Sequence, residues 1–204
     1  SEGITRCIAH ALERMGREPP PTASLTFAIG PPLRASLATL LATDERAEIE
    51  RALAHYRERF ADIGLFENTP YEGIGDALAN LRKVGHTLYV ATSKPKVYAD
   101  RIVRHFALDA HFAEVHGCEL DGTREHKVDL LAHLFGLHGI APADATMIGD
   151  RDVDMRAARH HGARALGATW GFGSRQELLG AGAHSLCDAP ADLPRALRDG
   201  PVVR

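Results

Sequence analysis

Apolar positions along the chain follow two rhythms, and the change between them falls near residue 67. In residues 1–66, Ile4, Ile8, Ala11, Leu12 and Met15 recur at helical spacing, with Gly16 placed to end that helix. Pro19, Pro20 and Pro21 form a stiff connection. After Gly30-Pro31-Pro32, the positions Leu33, Leu37, Leu40 and Leu41 repeat the stripe. Asp44 is placed to cap a longer helix lined by Ile49, Leu53, Tyr56 and Phe60. No run here alternates as a strand does, so residues 1–66 are predicted to form a small helical bundle.

From Pro70 onward, helices and short apolar runs alternate. Ile74, Ala77, Leu78, Leu81 and Val84 mark a helix that Gly85 ends. Leu88-Tyr89-Val90-Ala91 has the continuous apolar character of a strand buried on both faces. Further strands are predicted at 112–115, 145–148, 164–168 and 184–187. Helices are predicted near 95–107, 125–137 and 152–161, the last ended by Gly162, with a short one starting near Ser174. This order implies an α/β, Rossmann-like parallel sheet with helices on both faces over residues 67–204.

The composition is that of a globular protein: of 204 residues, 45% are hydrophobic and 25% charged. A net charge of −3 gives no basic footprint for nucleic acid. No apolar run approaches the roughly 20 residues of a membrane span, and no signal peptide is evident. Cys7, Cys118 and Cys187 are scattered and odd in number, which suits free thiols in a cytoplasmic protein. The chain opens at Ser1 without an initiator Met and reads as helix almost at once, as a cut sequence would.

Function in such sheets collects at the carboxyl ends of strands. Thr92-Ser93-Lys94-Pro95 follows the first run, and Gly149-Asp150-Arg151-Asp152-Val153-Asp154 follows the third; Lys127 stands between them at a helix start. Hydroxyls and lysines suit phosphoryl oxygens, and carboxylates suit a hard cation such as Mg²⁺. Taken singly, the Thr-Ser pair also reads as a turn, Lys127 as a solvated helix residue, and Asp150 and Asp152 as helix caps. Their order across three strand tips favours a site. Twelve histidines raise a metal reading, but His160 and His161 diverge around a helix and His133 and His138 are five apart. None makes the zinc-protease pair, and most are expected at the surface. Phosphate-loop and dinucleotide-loop glycine patterns are missing, which argues against ATPases and nicotinamide enzymes.

The chain resembles the haloacid dehalogenase-like hydrolases, and within them the phosphoglycolate-phosphatase-like branch. The resemblance runs through Ile29-Gly30-Pro31-Pro32-Leu33, Val90 to Pro95, Leu120-Asp121-Gly122-Thr123 with Lys127, Met147 to Asp154, and Trp170-Gly171-Phe172-Gly173-Ser174. It implies that Thr92 holds the phosphoryl group and Lys127 neutralises it. It also implies that Asp150 ligates Mg²⁺, with Asp154 supporting it directly or through water. Residues 1–66 would be a helical cap inserted after the first core strand, with Arg34 and the Gly30-Pro31-Pro32 turn, alongside Ser93 and Lys94, as substrate-binding candidates; a surface role fits Arg34 equally well.

The family's first motif, a strand ending Asp-x-Asp-Gly-Thr, is absent from this chain, and with it the first core strand. Its nucleophilic aspartate is expected upstream of Ser1, and the chain alone is expected to be inactive and unstable. Glu119-Leu120-Asp121-Gly122-Thr123 is similar to that motif but follows the Thr92 strand, so a turn is expected there. The leading expectation is a cytoplasmic, Mg²⁺-dependent phosphoric monoester hydrolase. Its partner would be a small phosphorylated metabolite such as phosphoglycolate or a nucleotide, and it would act as a monomer or homodimer, without nucleic acid or membrane. The alternatives are a catalytically inactive phosphate-binding or regulatory protein, or a sugar phosphomutase.

Overall fold

The computed structural model describes residues 2–198. Its contacts fall into two compact units, Ser1–Thr69 and Pro70–Arg204. The division lies slightly beyond the change of rhythm at 66/67.

The first unit is helical throughout. Helix α1 (Glu2–Arg14) buries Ile8, Ala11 and Leu12 of the predicted stripe together with Cys7, whereas Ile4 and Met15 are only half-buried, and Gly16 follows at φ +72°. A 3₁₀ segment at Thr22–Ala28 leads to α2 (Leu33–Leu41). Helix α3 (Arg46–Arg59) runs into a π-helical turn, Phe60–Gly64. Asp44 does not cap α3: Glu45 holds the cap position, and its N–H bonds the Thr43 hydroxyl at 3.2 Å. Helix α1 lies so close to the π-helical turn that a Cβ on Gly3 would sit 2.0 Å from the Gly64 carbonyl oxygen. Glu67 closes the unit by accepting from Arg59 at 2.7 and 2.8 Å and from Arg6 at 2.9 Å.

The second unit begins with α4 (Ile74–Lys83) and then alternates. Its elements are β1 (Tyr89–Pro95), α5 (Lys96–His105), β2 (Glu114–Cys118), α6 (Lys127–His138), β3 (Thr146–Gly149) and α7 (Asp152–His161). There follow β4 (Arg164–Ala168), α8 (Arg175–Gly180), β5 (Ser185–Cys187) and α9 (Leu193–Arg198). All strand pairing is parallel, as alternation requires, and divides into β1–β2 and β3–β4–β5. Successive strand residues point to opposite faces. Ala165 packs in a cluster with Leu131, Leu134, Met155 and Leu178, whereas Leu166 packs with Ala77, Leu81, Cys187 and Leu193. β4 is therefore covered on both faces, by α6, α7 and α8 on one and by α4 and α9 on the other.

Two expectations change. The second strand starts at Glu114 rather than at the apolar residues 112–115, because Phe112 ends a 3₁₀ turn. β1 and β3 are half-buried along their whole length, whereas β2 and β4 are buried after their first residue. Among the described residues β1 pairs only with β2, and β3 only with β4, so each keeps one ladder edge unpaired.

Candidate active site

The carboxyl ends of β1 and β3 bring most of the predicted residues together. Thr92 pairs in register with Gly117 of β2, and its hydroxyl accepts the Lys94 N–H at 3.2 Å. Only glycine fits at 117, where a Cβ would meet the Lys94 carbonyl oxygen at 2.3 Å. Burial of the Lys94 ammonium, reinforced by Lys127, pushes its pKa below the ordinary lysine range, and Asp150 pulls the other way.

Lys127 opens α6 and is almost fully enclosed. Its Nζ donates to the Ala91 carbonyl at 2.8 Å and lies 3.1 Å from Asp154 Oδ1. One ammonium thus joins the strand that carries Thr92 to the first turn of α7. The other oxygen of Asp154 accepts the Arg151 N–H at 3.2 Å, so the carboxylate also caps α7. Asp154 can lie over the end of β3 because residue 149 is glycine: a Cβ there would stand 2.3 Å from that of Asp154.

Asp150 is wrapped by the 170–174 segment. Its Oδ2 accepts the Phe172 N–H at 2.9 Å, and its carbonyl accepts the Gly173 N–H at 2.8 Å. A Cβ on Gly171 would collide with the Asp150 side chain at 2.2 Å. Behind it, Glu177 Oε1 accepts from Arg151 Nε and the Asp152 N–H, both at 3.1 Å. Asp152 turns outward to Arg156 at 3.2 Å. Partial burial and the Asp150 charge raise the Tyr71 pKa.

Ser93 contributes its carbonyl to Cys118 Sγ at 3.1 Å. The 119–123 segment is the expected turn, closed by the Glu119 N–H to the Thr123 carbonyl at 2.9 Å with Gly122 at φ +98°. Arg34, in the first unit, is engaged by Glu50 at 2.6 Å through Nε, and this pairing lowers the Glu50 pKa. Phe172 and Gly173 act through backbone amides, so the sequence marked their stretch only through the family resemblance and gave it no role, and Tyr71 stands outside every motif.

Oxygen donors at two strand tips, with two lysine ammoniums beside them, suit an anion held next to a hard cation. The model for "Haloacid dehalogenase-like hydrolase" matches residues 1–168, and the chain belongs to this family of hydrolases.

Particular relatives narrow the comparison. A 5′-nucleotidase of Pseudomonas aeruginosa is 48% identical over 177 residues, covering 87% of this chain and 80% of its own. The tyrosine-protein kinase PtkA of Mycobacterium tuberculosis is 37% identical over 173 residues, covering 85% of this chain and 58% of its own. A phosphoglycolate phosphatase of Mannheimia succiniciproducens is 30% identical over 133 residues, 64% of this chain and 57% of its own. The crystal structure of a predicted phosphatase from Clostridium acetobutylicum superposes with a TM-score of 0.92 at 35% identity, over 97% of this chain and 91% of that one. No helix among the described residues is long and apolar enough to cross a membrane.

Proposed function

We propose that the protein is a cytoplasmic phosphatase for small phosphate monoesters, with nucleoside 5′-monophosphates as the leading substrate class. The observation that carries this reading is the Lys127 ammonium, buried between the Ala91 carbonyl and Asp154, one residue from Thr92. A buried ammonium beside a hydroxyl and a strand-tip carboxylate is arranged for a phosphoryl dianion. The nucleotide preference draws on the 48% identical relative, which is a 5′-nucleotidase; phosphoglycolate is the second candidate.

In this reading Thr92 donates its hydroxyl to a phosphoryl oxygen while Lys127 neutralises charge on the same group. The nucleophile is an aspartate on a further strand seated between β1 and β3, whose half-buried, singly paired condition leaves a ladder edge for it on each side. Its carboxylate attacks phosphorus as the ester bond to the leaving alcohol breaks, and water then hydrolyses the acyl phosphate. The first unit serves as a cap that excludes water and selects the leaving group.

The site's donor chemistry fits Mg²⁺. Asp150 presents a carboxylate held by the Phe172 amide, whereas both oxygens of Asp154 are engaged by Lys127 and Arg151. Direct ligation therefore falls to Asp150, and Asp154 positions Lys127. When bound, the ion supplies further neutralisation of the phosphoryl charge.

The test is phosphate release by the full-length protein from an aryl phosphate, adenosine 5′-monophosphate and phosphoglycolate. Turnover with the nucleotide favoured supports the reading. Folded protein that releases phosphate from none of the three contradicts it.

A further inference from the structure

A second group of ligand atoms lies at the opposite end of α6. Glu114 and His116 stand two apart on β2, so their side chains leave the same face of the strand. His138 reaches them from the last turn of α6. The ligand atoms of the three residues lie within 4.8 Å of one another. His116 Nε2 is 2.9 Å from His138 Nε2, and Glu114 Oε2 is 3.7 and 3.5 Å from those two nitrogens. A tetrahedral zinc ion with ligand bonds near 2.0–2.2 Å has ligand–ligand edges of about 3.3 Å. The observed triangle already has that size.

We propose that Glu114, His116 and His138 form a binding site for a borderline transition-metal dication of the Zn²⁺ class. Two imidazoles and a carboxylate favour such an ion over Mg²⁺ or Ca²⁺, which take oxygen ligands. The surroundings hold the ligands in place. The Tyr89 ring packs on His138 with centroids 4.5 Å apart, and His133 stands edge-on to His116 at 6.3 Å. Lys96 lies 4.0 Å from Glu114 Oε1, while its ammonium donates to the Val115 carbonyl at 2.7 Å. The carbonyl end of α6 adds a favourable field for a cation. His116 is enclosed, His138 is partly open and Glu114 is 40% exposed, so an ion enters from the Glu114 side and keeps a coordination position toward solvent. Lys127 and His138 are the first and last residues of α6, about 16 Å apart at the helical rise. The site is therefore separate from the phosphate centre and stands whether or not that centre is catalytic.

The full-length protein, stripped with a chelator, is titrated with Co²⁺ by visible absorption and with Zn²⁺ by calorimetry. The expected result is one equivalent bound with intense tetrahedral Co²⁺ bands. Glu114→Gln and His138→Gln, both at partly exposed positions, each weaken binding by at least about tenfold and remove the bands. Asp150→Asn leaves this binding intact. Circular dichroism verifies that each variant is folded. Absence of a bound equivalent, or Zn²⁺ affinity unchanged in folded His138→Gln, overturns the proposal.

Discussion

Lys127 and Asp154 form an ion pair at 3.1 Å in which both side chains are less than a tenth exposed. Such a pair is costly to break from one side, because the remaining charge stays buried. Asp154→Asn is therefore expected to destabilise the protein by about 3–5 kcal/mol. The double variant Lys127→Met/Asp154→Asn should lose less than the two single changes added together. Chemical denaturation of the four proteins measures that coupling, and strict additivity would show that the pair does not act as a unit.

Loss of Lys127 also bears on activity. Lys127→Met is expected to lower the rate of phosphate release by about 10²–10³-fold, the range seen when one charge-stabilising group is removed. Steady-state rates with an aryl phosphate check this. A rate within twofold of the parent would place Lys127 outside the chemistry.

The glycine at the end of β3 is tied to the same carboxylate. A Cβ at position 149 would stand 2.3 Å from that of Asp154. Gly149→Ala should therefore cost about 1–3 kcal/mol and weaken activity with it, whereas Gly136→Ala, where a Cβ meets open space, should not destabilise. Thermal unfolding of the two variants separates a steric effect from a general loss of backbone freedom.

In the first unit, Arg59 and Arg6 hold the Glu67 carboxyl at a pKa of about 2, far below the usual glutamate range. Because the folded value is depressed, this stabilisation is complete above the unfolded pKa, near 4.3. It is lost progressively as pH falls toward 2. Glu67→Gln should reduce stability at pH 7 by about 1–3 kcal/mol. It should also flatten the dependence between pH 5 and 3, as followed by urea denaturation at each pH.

The helical first half and the alternating second half were legible because amphipathic period and strand length follow directly from backbone geometry. The strand-tip residues were legible for the same reason, since topology alone gathers them at one edge. Three features needed the three-dimensional structure. Glu114 and His116 interrupt the apolar pattern, which drew the predicted second strand toward Phe112 and hid a buried histidine. The signal available was Glu-x-His within a strand, but its partner, His138, lies on another element. Arg34 is engaged by Glu50, a contact between two helices that no local pattern encodes. Asp150 is held by the Phe172 backbone amide, and a backbone donor leaves no mark in side-chain chemistry.

Phosphate release by the full-length protein and by Asp150→Asn, each with and without Mg²⁺, tests the central claim most directly. Turnover is expected to require Mg²⁺ in the parent protein and to be abolished in a folded Asp150→Asn variant. Near-normal, metal-dependent turnover by Asp150→Asn would contradict the assignment of Asp150 as the residue that holds the ion.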